Sequence, residues 1–425
     1  MQMNIEWKIL MNNFKIPKIR FMNFNDKWKY KILGEISSSI EYGLNASAKD
    51  FDGIHKYLRI TDIDDSSRLF LTDKLSSPDV DFTEEDYDNY KLQINDLLFA
   101  RTGASVGKTY LYRESDGEVY YAGFLIRARL RDSFDGNFVF QQTLTDKYKQ
   151  FIEITSQRSG QPGINGKEYG NWKIGMTSYS EQSAIGSFFR TLDDLLTSYK
   201  DNLANYQSLK ATMLSKMFPK AGQTVPEIRL DGFEGEWVEK RLKDVSKRVT
   251  RKNNDLVSER ALTISAQFGL IDQEEFFQKK IASKDVSGYY LIKKGEFAYN
   301  KSYSTGYPLG AIKRLDKYEN GVLSTLYILF KAVDVDSDYL AHYYESDKWH
   351  REVSMCAAEG ARNHGLLNIA PVDFFNTRLV IPKEIEEQQA IGVYFSNLDQ
   401  LITSYQEKIT QLETLKKKLL QDMFI

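Results

Sequence analysis

The chain has 425 residues, 42% of them hydrophobic and including 25 Phe and 26 Tyr, enough to build two to four domains with their own cores. A single cysteine, Cys356, excludes an internal disulfide framework and a cysteine-based zinc cluster, and the four histidines (His55, His342, His350, His364) stand singly, without ligand spacing. A formal net charge of −2, no apolar run long enough to span a bilayer and no secretory leader point to a soluble, cytoplasmic protein, while whole-chain charge says little about partners when charge is segregated.

In chain order, residues 1–13 match nothing later in the sequence, leaving Met1, Met3 and Met11 as candidate starts. Segment 17–36, PKIRFMNFNDKWKYKILGEI, opens the first lobe. The run DVDFTEEDYD at 79–88 carries Asp79, Asp81, Glu84, Glu85, Asp86 and Asp88 and reads as a solvated helix start, with Thr83 as its cap and acids at the positive helix end. Short apolar runs at 97–100 (LLFA) and 124–130 (FLIRARL) read as strands, and 138–154 as helical. Between the strands lies GASVGKT at 103–109. It has three residues rather than four between the glycine and Gly-Lys-Thr, so it reads as a tight polar loop more than a phosphate cradle. A polar, glycine-containing loop, QRSGQPGING, follows at 157–166.

From Glu181 to Phe218 no proline interrupts a stripe made by Leu192, Leu195, Tyr199, Leu203, Tyr206, Leu209 and Met213, so one long helix is expected, ended by Pro219. The second half repeats this plan. PEIRLDGFEGEWVEKRLKDV at 226–245 matches 17–36 through Pro17/Pro226, Arg20/Arg229 and Trp28/Trp237. VLSTLYILF at 322–330 and TRLVI at 377–381 read as strands, 338–355 as helical, and AEGARNHGLLN at 358–368 as the second polar loop. Finally Glu387–Phe424 matches Glu181–Phe218 without a gap, 17 of 38 positions being identical. In this copy Leu398, Ile402, Tyr405, Ile409, Leu412, Leu415 and Leu419 draw the same stripe.

The chain is therefore two copies of one unit of about 206 residues. Each copy has an opening segment, a divergent middle and a long helix. Matching stripes predict that the two helices pair antiparallel, with Leu192, Tyr199, Leu209, Leu398, Tyr405 and Leu415 at the seam. The expected fold is α+β: two pseudo-two-fold-related lobes separated by two long antiparallel helices that form a coiled-coil bar. The expected boundaries are 17–179 for the first domain, 180–219 for the central helix, 220–385 for the second domain and 386–425 for the last helix.

No constellation for catalysis is present: no Asn/Asp-Pro-Pro-aromatic loop, no Gly-x-Ser-x-Gly elbow and no His-Glu-x-x-His helix. No catalytic or metal-ligating residue is therefore expected. The polar loops carry a different chemistry. Arg101, Thr102, Ser105 and Lys108 in the first copy face Lys301, Ser302, Tyr303, Ser304 and Thr305 in the second. The later loops bring Arg158, Ser159, Gln161 and Asn165, and Arg362, Asn363 and His364. Arginine can grip guanine edges, amides can grip adenine, and hydroxyls hold phosphates, so these are the candidate DNA-binding residues. Two readings stand side by side, a DNA-contacting loop pair in each copy and ordinary surface turns.

Together these features resemble the specificity subunit of Type I restriction–modification systems. The carriers are EQSAIGSFFRTLDDLLTSY and EQQAIGVYFSNLDQLITSY with their Met-Phe ends, PEIRLDGFEGEWVEKRL, and the loops RTGASVGK and NKSYSTGYPLGAIKRL. One departure is IGMTSYSEQ at 174–182, where the second copy has VIPKEIEEQ at 380–388. The resemblance implies a non-catalytic subunit reading a bipartite, asymmetric double-stranded DNA target, with the helices setting the gap between half-sites. It implies two methyltransferase (modification) subunits docked on the repeated scaffold and restriction (motor-nuclease) subunits completing the enzyme. No cofactor is expected in this chain; S-adenosylmethionine belongs to the methyltransferase partner, and ATP with Mg to the motor-nuclease. The alternative is a duplicated protein–protein scaffold that does not bind DNA.

Overall fold

The computed structural model describes residues 7–9, 16–157, 160–265, 268–279, 282–283, 285–302, 307–356 and 367–425. Its two long helices run Tyr179–Lys216 and Ile385–Met423. The chain forms two compact units, Met1–Asp201 with Gln406–Ile425, and Asn202–Tyr405. Both unit boundaries fall inside the long helices.

In the first unit a four-stranded antiparallel sheet has the order Ser37–Tyr42, Leu125–Leu130, Asp96–Ala100, Thr109–Leu111. The second unit repeats it as Ser246–Val249, Ile328–Ala332, Phe297–Asn300, Ala311–Arg314. The hairpin between the last two strands of each sheet closes on a glycine with positive φ, Gly107 (84°) and Gly310 (76°). A Cβ at Gly310 would lie 2.0 Å from the Asn300 carbonyl oxygen, so only glycine fits there. The copies part company in the small flanking sheets. Lys56–Leu58 pairs parallel with Val119–Tyr121 in the first unit, whereas Tyr290–Lys293 pairs antiparallel with Asn320–Leu323 in the second.

The run at 322–330 resolves into two strands, Asn320–Leu323 and Ile328–Ala332, with a turn between them. The acidic run corrects an expectation. Residues 82–84 form a turn, only a short 3-10 helix follows at Asp88–Tyr90, and no α-helix begins at Thr83, whose backbone N–H and hydroxyl both donate to the Asp81 carboxylate. That local turn satisfies the backbone, so the helical alternative has nothing to gain.

The pieces kept in both copies form one joint. Arg20 grips Glu181 bidentately at 2.5 and 2.7 Å, and Arg229 grips Glu387 at 2.7 and 2.8 Å. Breaking a buried pair of this kind typically costs about 3–5 kcal/mol, because the remaining charge is stranded. One residue along, Gln182 accepts from the Asp135 N–H and Gln388 from the Asp336 N–H, while both aspartates cap a short helix. The departure at 174–182 does not disturb this joint: Gln182 donates to the Thr177 carbonyl where Gln388 donates to that of Pro382.

The helix pairing is antiparallel within each unit. In the first, Lys416 meets Asp193 and Lys200 meets Glu413, and Phe189 stacks on Phe424 at 5.7 Å. In the second, Lys210 meets Asp399, Tyr206 meets Tyr405, and Phe218 stacks on Phe395 at 5.9 Å. Asp193–Lys416 and Asp399–Lys210 are the same pair in repeat numbering. Met423-Phe424 thus closes the core around Trp28 and Phe138, as Met217-Phe218 closes the one around Trp237 and Tyr339.

Of the seam residues, Leu192 and Leu398 are buried, and Tyr199 and Tyr405 are half-buried. Leu209 and Leu415 correct the expected stripe, being 36% and 46% exposed. Ile409 and Leu419 of the expected stripe are buried, and Leu196 and Leu420 beside it are buried as well, so the stripe that packs overlaps the one drawn from the sequence but leaves Leu195, Leu209 and Leu415 outside. In a helix of 3.6 residues per turn, equally spaced leucines define more than one stripe, and packing chooses among them.

Candidate nucleic-acid interface

The two polar loops of the first copy come together. Thr102 bridges Gly163, the Gly103 N–H donates to the Pro162 carbonyl at 3.0 Å, and the Ile164 N–H donates to the Arg101 carbonyl at 2.9 Å. The second copy repeats the last contact, with the Leu367 N–H donating to the Lys301 carbonyl at 2.9 Å. In each copy the basic residue follows the same sheet strand by one position, so its backbone is fixed while its side chain leaves the sheet.

Arg101 lies 5.1 Å above the Tyr42 ring and 6.0 Å from that of Phe124, and donates one weak hydrogen bond, 3.4 Å, to the Gly123 carbonyl. Among the described residues, most of its fixed fork of donors is therefore unspent. Arg101 and Tyr42 line two adjoining clefts. One, of about 710 Å³, also involves Tyr57, Arg59, Thr61 and Phe124; the other, of about 420 Å³, involves Thr102, Ile164 and Asn165. Neither lining contains a carboxylate, histidine or cysteine, so these clefts offer hydrogen-bond donors and aromatic faces rather than acid–base chemistry. Arg59, on the far side of the larger cleft, is held bidentately by Asp62, which raises its pKa further and keeps it charged.

Lys301 donates to the Ile369 carbonyl at 3.3 Å, and burial pushes its ammonium below the ordinary lysine pKa. The Ser302 N–H donates to the Asn300 side chain, Ser105 is half-buried in the short turn after Arg101, and Gln161 is exposed, its amide close above Gly103. Two candidates have other employment. The Lys108 ammonium is buried, donating to the Ile63 carbonyl at 3.0 Å and pairing with Asp65 at 2.5 Å, so it anchors a neighbouring loop and is not a free cation. The Asn165 carbonyl caps the helix Gly166–Gly170 by accepting the Glu168 N–H. Arg158, Ser159, Tyr303, Ser304, Thr305, Arg362, Asn363 and His364 lie outside the described residues.

Sequence reasoning missed Tyr42, Arg59 and Phe124, which carry no motif. It also missed an equivalence visible only in strand register. Leu98 faces Arg127 and Ala298 faces Leu329, and three residues before each stands an exposed apolar side chain, Phe124 (63%) and Leu326 (56%).

Beside the second long helix, among the described residues, one group has metal-ligating types together: His342, Glu345 and Asp399. Lys210 donates to both carboxylates, at 2.7 and 2.5 Å, so their charge is already spent. Burial would raise the Glu345 carboxyl and lower the Lys210 ammonium; His342 and Lys210 hold the first well below its usual range, and Glu345 with Asp399 holds the second above its own. The helix pair also exposes leucines in matched places. Leu195 (42%) and Leu415 lie at the level of Asp193–Lys416, and Leu209 and Leu401 (41%) at that of Lys210–Asp399.

These features define a duplicated α+β protein in which each copy ties the basic residue that follows one sheet strand, Arg101 or Lys301, to a later segment of the same copy. No family model matches the sequence. Over 424 residues, 96% of this chain and 94% of the relative, it is 20% identical to the specificity subunit of the Type I restriction enzyme MjaVIII of Methanocaldococcus jannaschii. It is 25% identical over 213 residues, 49% of each chain, to a putative Type I restriction enzyme MjaX specificity subunit of the same organism. Among solved structures, the Type I restriction–modification S subunit from M. genitalium superposes with a TM-score of 0.61 at 14% identity, over 96% of this chain and 99% of the other, and so shares its fold. The resemblance carried by the repeats thus extends over nearly the whole chain: in sequence and fold it is similar to Type I specificity subunits. No helix among the described residues is long and apolar enough to cross a membrane.

Proposed function

We propose that this chain is the non-catalytic specificity subunit of a Type I restriction–modification complex, reading a two-part DNA sequence with one lobe loop pair per half-site. The observation that carries the proposal is the repeated placement of Arg101 and Lys301. Each follows the equivalent strand and is tied by the same 2.9 Å backbone bond to a second polar loop. The scaffold is held constant while the side chains around it differ, as two readers of different sequences require. Arg101 supplies a planar fork suited to guanine O6 and N7, and Lys301 a point charge. Phe124 and Leu326 supply apolar tips suited to a thymine methyl group.

In this reading the matched leucine pairs on the helices receive two copies of one partner, the adenine methyltransferase, which brings S-adenosylmethionine. The motor-nuclease brings ATP and Mg, and this chain holds no cofactor of its own. A scaffold that pairs proteins without touching DNA shares the leucine surfaces but gives no role to Arg101 in an open cleft. Mapping methylated adenines in the source genome with and without this gene tests the proposal. Loss of a bipartite methylated motif on deletion is expected; an unchanged methylome overturns it.

A further inference from the structure

Arg68 is the most unusual cation of the first unit. Its φ is +60°, a left-handed conformation that side-chain-bearing residues rarely adopt. The loop that holds it is built around Asp64, whose carboxylate accepts from the N–H and hydroxyl of both Ser66 and Ser67, and whose carbonyl accepts the Arg68 N–H at 3.1 Å. Among the described residues the half-buried Arg68 guanidinium has no hydrogen-bond or ion-pair partner, and burial pushes its pKa down. The Asp65 and Asp64 carboxylates attract this charge from a distance, but Asp65 is itself paired with Lys108 at 2.5 Å, so among the described residues the donors of the partly desolvated Arg68 fork carry no hydrogen bond.

Arg68 lines a cleft of about 300 Å³ between its loop and the helices of the same unit. The floor is apolar, formed by Leu144, Leu196 and Leu420. Three other cations of the lining are already paired: Lys416 with Asp193, Lys200 with Glu413, and Arg113 with Asp194. Lys417 has no ion-pair partner among the described residues. Asp65 also lines the cleft and is paired with Lys108, so among the described residues the cleft keeps two cations without ion-pair partners, Arg68 and Lys417, beside its apolar lining, one of them a planar fork that matches phosphate oxygens.

We infer that this cleft is a phosphate-binding site, with Arg68 gripping the phosphoryl group and the leucines receiving whatever apolar body it carries. The phosphate comes either from a small phosphate ester or from the DNA backbone. The site is distinct from the Arg101 clefts and shares no lining residue with them.

The test uses the full chain and the substitution Arg68→Gly, which removes the charge and relieves the left-handed strain, so that variant should melt no lower than wild type without ligand. Thermal melts are recorded with inorganic phosphate and with AMP, against chloride at matched ionic strength, and duplex-DNA binding is measured across a salt series. A small-ester source gives a phosphate- or AMP-dependent rise in Tm that R68G loses. A DNA source gives no such rise, but R68G weakens DNA binding about equally for all sequences and lowers the salt slope by roughly one. If R68G matches wild type in both arms, the inference is overturned; so it is if R68G melts clearly lower without ligand, since Arg68 would then be a structural residue.

Discussion

Arg101→Ala is the substitution that most directly separates reading from scaffolding. Among the described residues, the arginine side chain makes one 3.4 Å hydrogen bond and two ring contacts at 5.1 and 6.0 Å. At a partly exposed site these contribute on the order of 0.5–1 kcal/mol. The contacts that order the loops pass through its backbone, the N–H to the Phe124 carbonyl and the carbonyl from the Ile164 N–H, and alanine keeps both. The variant should therefore remain folded, with Tm nearly unchanged. If Arg101 grips a guanine edge, binding to the mapped target falls by about 1–3 kcal/mol, roughly 5- to 150-fold, and preference relaxes at one position of one half-site. Fluorescence anisotropy with the target duplex and four variants at that position measures both effects. Equal loss for every sequence together with a smaller salt slope would make Arg101 a phosphate contact. Unchanged affinity would refute the assignment of this loop to DNA.

The second copy should respond to pH where the first does not. Burial depresses the Lys301 pKa, so its ammonium is fully charged only below that lowered value and is lost as pH rises through it, before ordinary lysines discharge. Target affinity should decline at a lower pH than ordinary lysines would cause, and Lys301→Arg should flatten the profile; a decline that persists in K301R would remove Lys301 as its source. Leu398 is buried and Leu415 is not, so Leu398→Ala should cost about 2–5 kcal/mol in denaturant unfolding whereas Leu415→Ser should cost little. Leu195→Ser with Leu415→Ser should instead reduce co-purification with the methyltransferase, and full recovery of the complex would show that this leucine surface is not the dock. Exchanging residues 226–380 for those of a relative should change one half-site in the methylome and leave the other as it was; changes in both would mean that the two copies read jointly.

Much of this molecule is written in its amino-acid order. The duplication, the two long helices and the joint residues Arg20, Glu181, Arg229 and Glu387 are visible as recurring letters, because a scaffold used twice constrains the same positions twice. The strands at 97–100 and 124–130 are legible because burial on a sheet leaves apolar runs bounded by turns. Local pattern fails where competing interactions are non-local or chemically equivalent. Lys108 looks like a loop cation until the 60–65 loop folds over it, and Asn165 looks like a base reader until it becomes a helix cap. The leucines of the long helices support more than one stripe, and only packing puts Leu196 inside and leaves Leu195 out. The kinship of Phe124 with Leu326 has no letter in common; it exists only in strand register. The half-buried charge of Arg68, without a hydrogen-bond partner among the described residues, is likewise invisible in sequence, because whether a cation is spent depends on what the tertiary fold brings within reach of it.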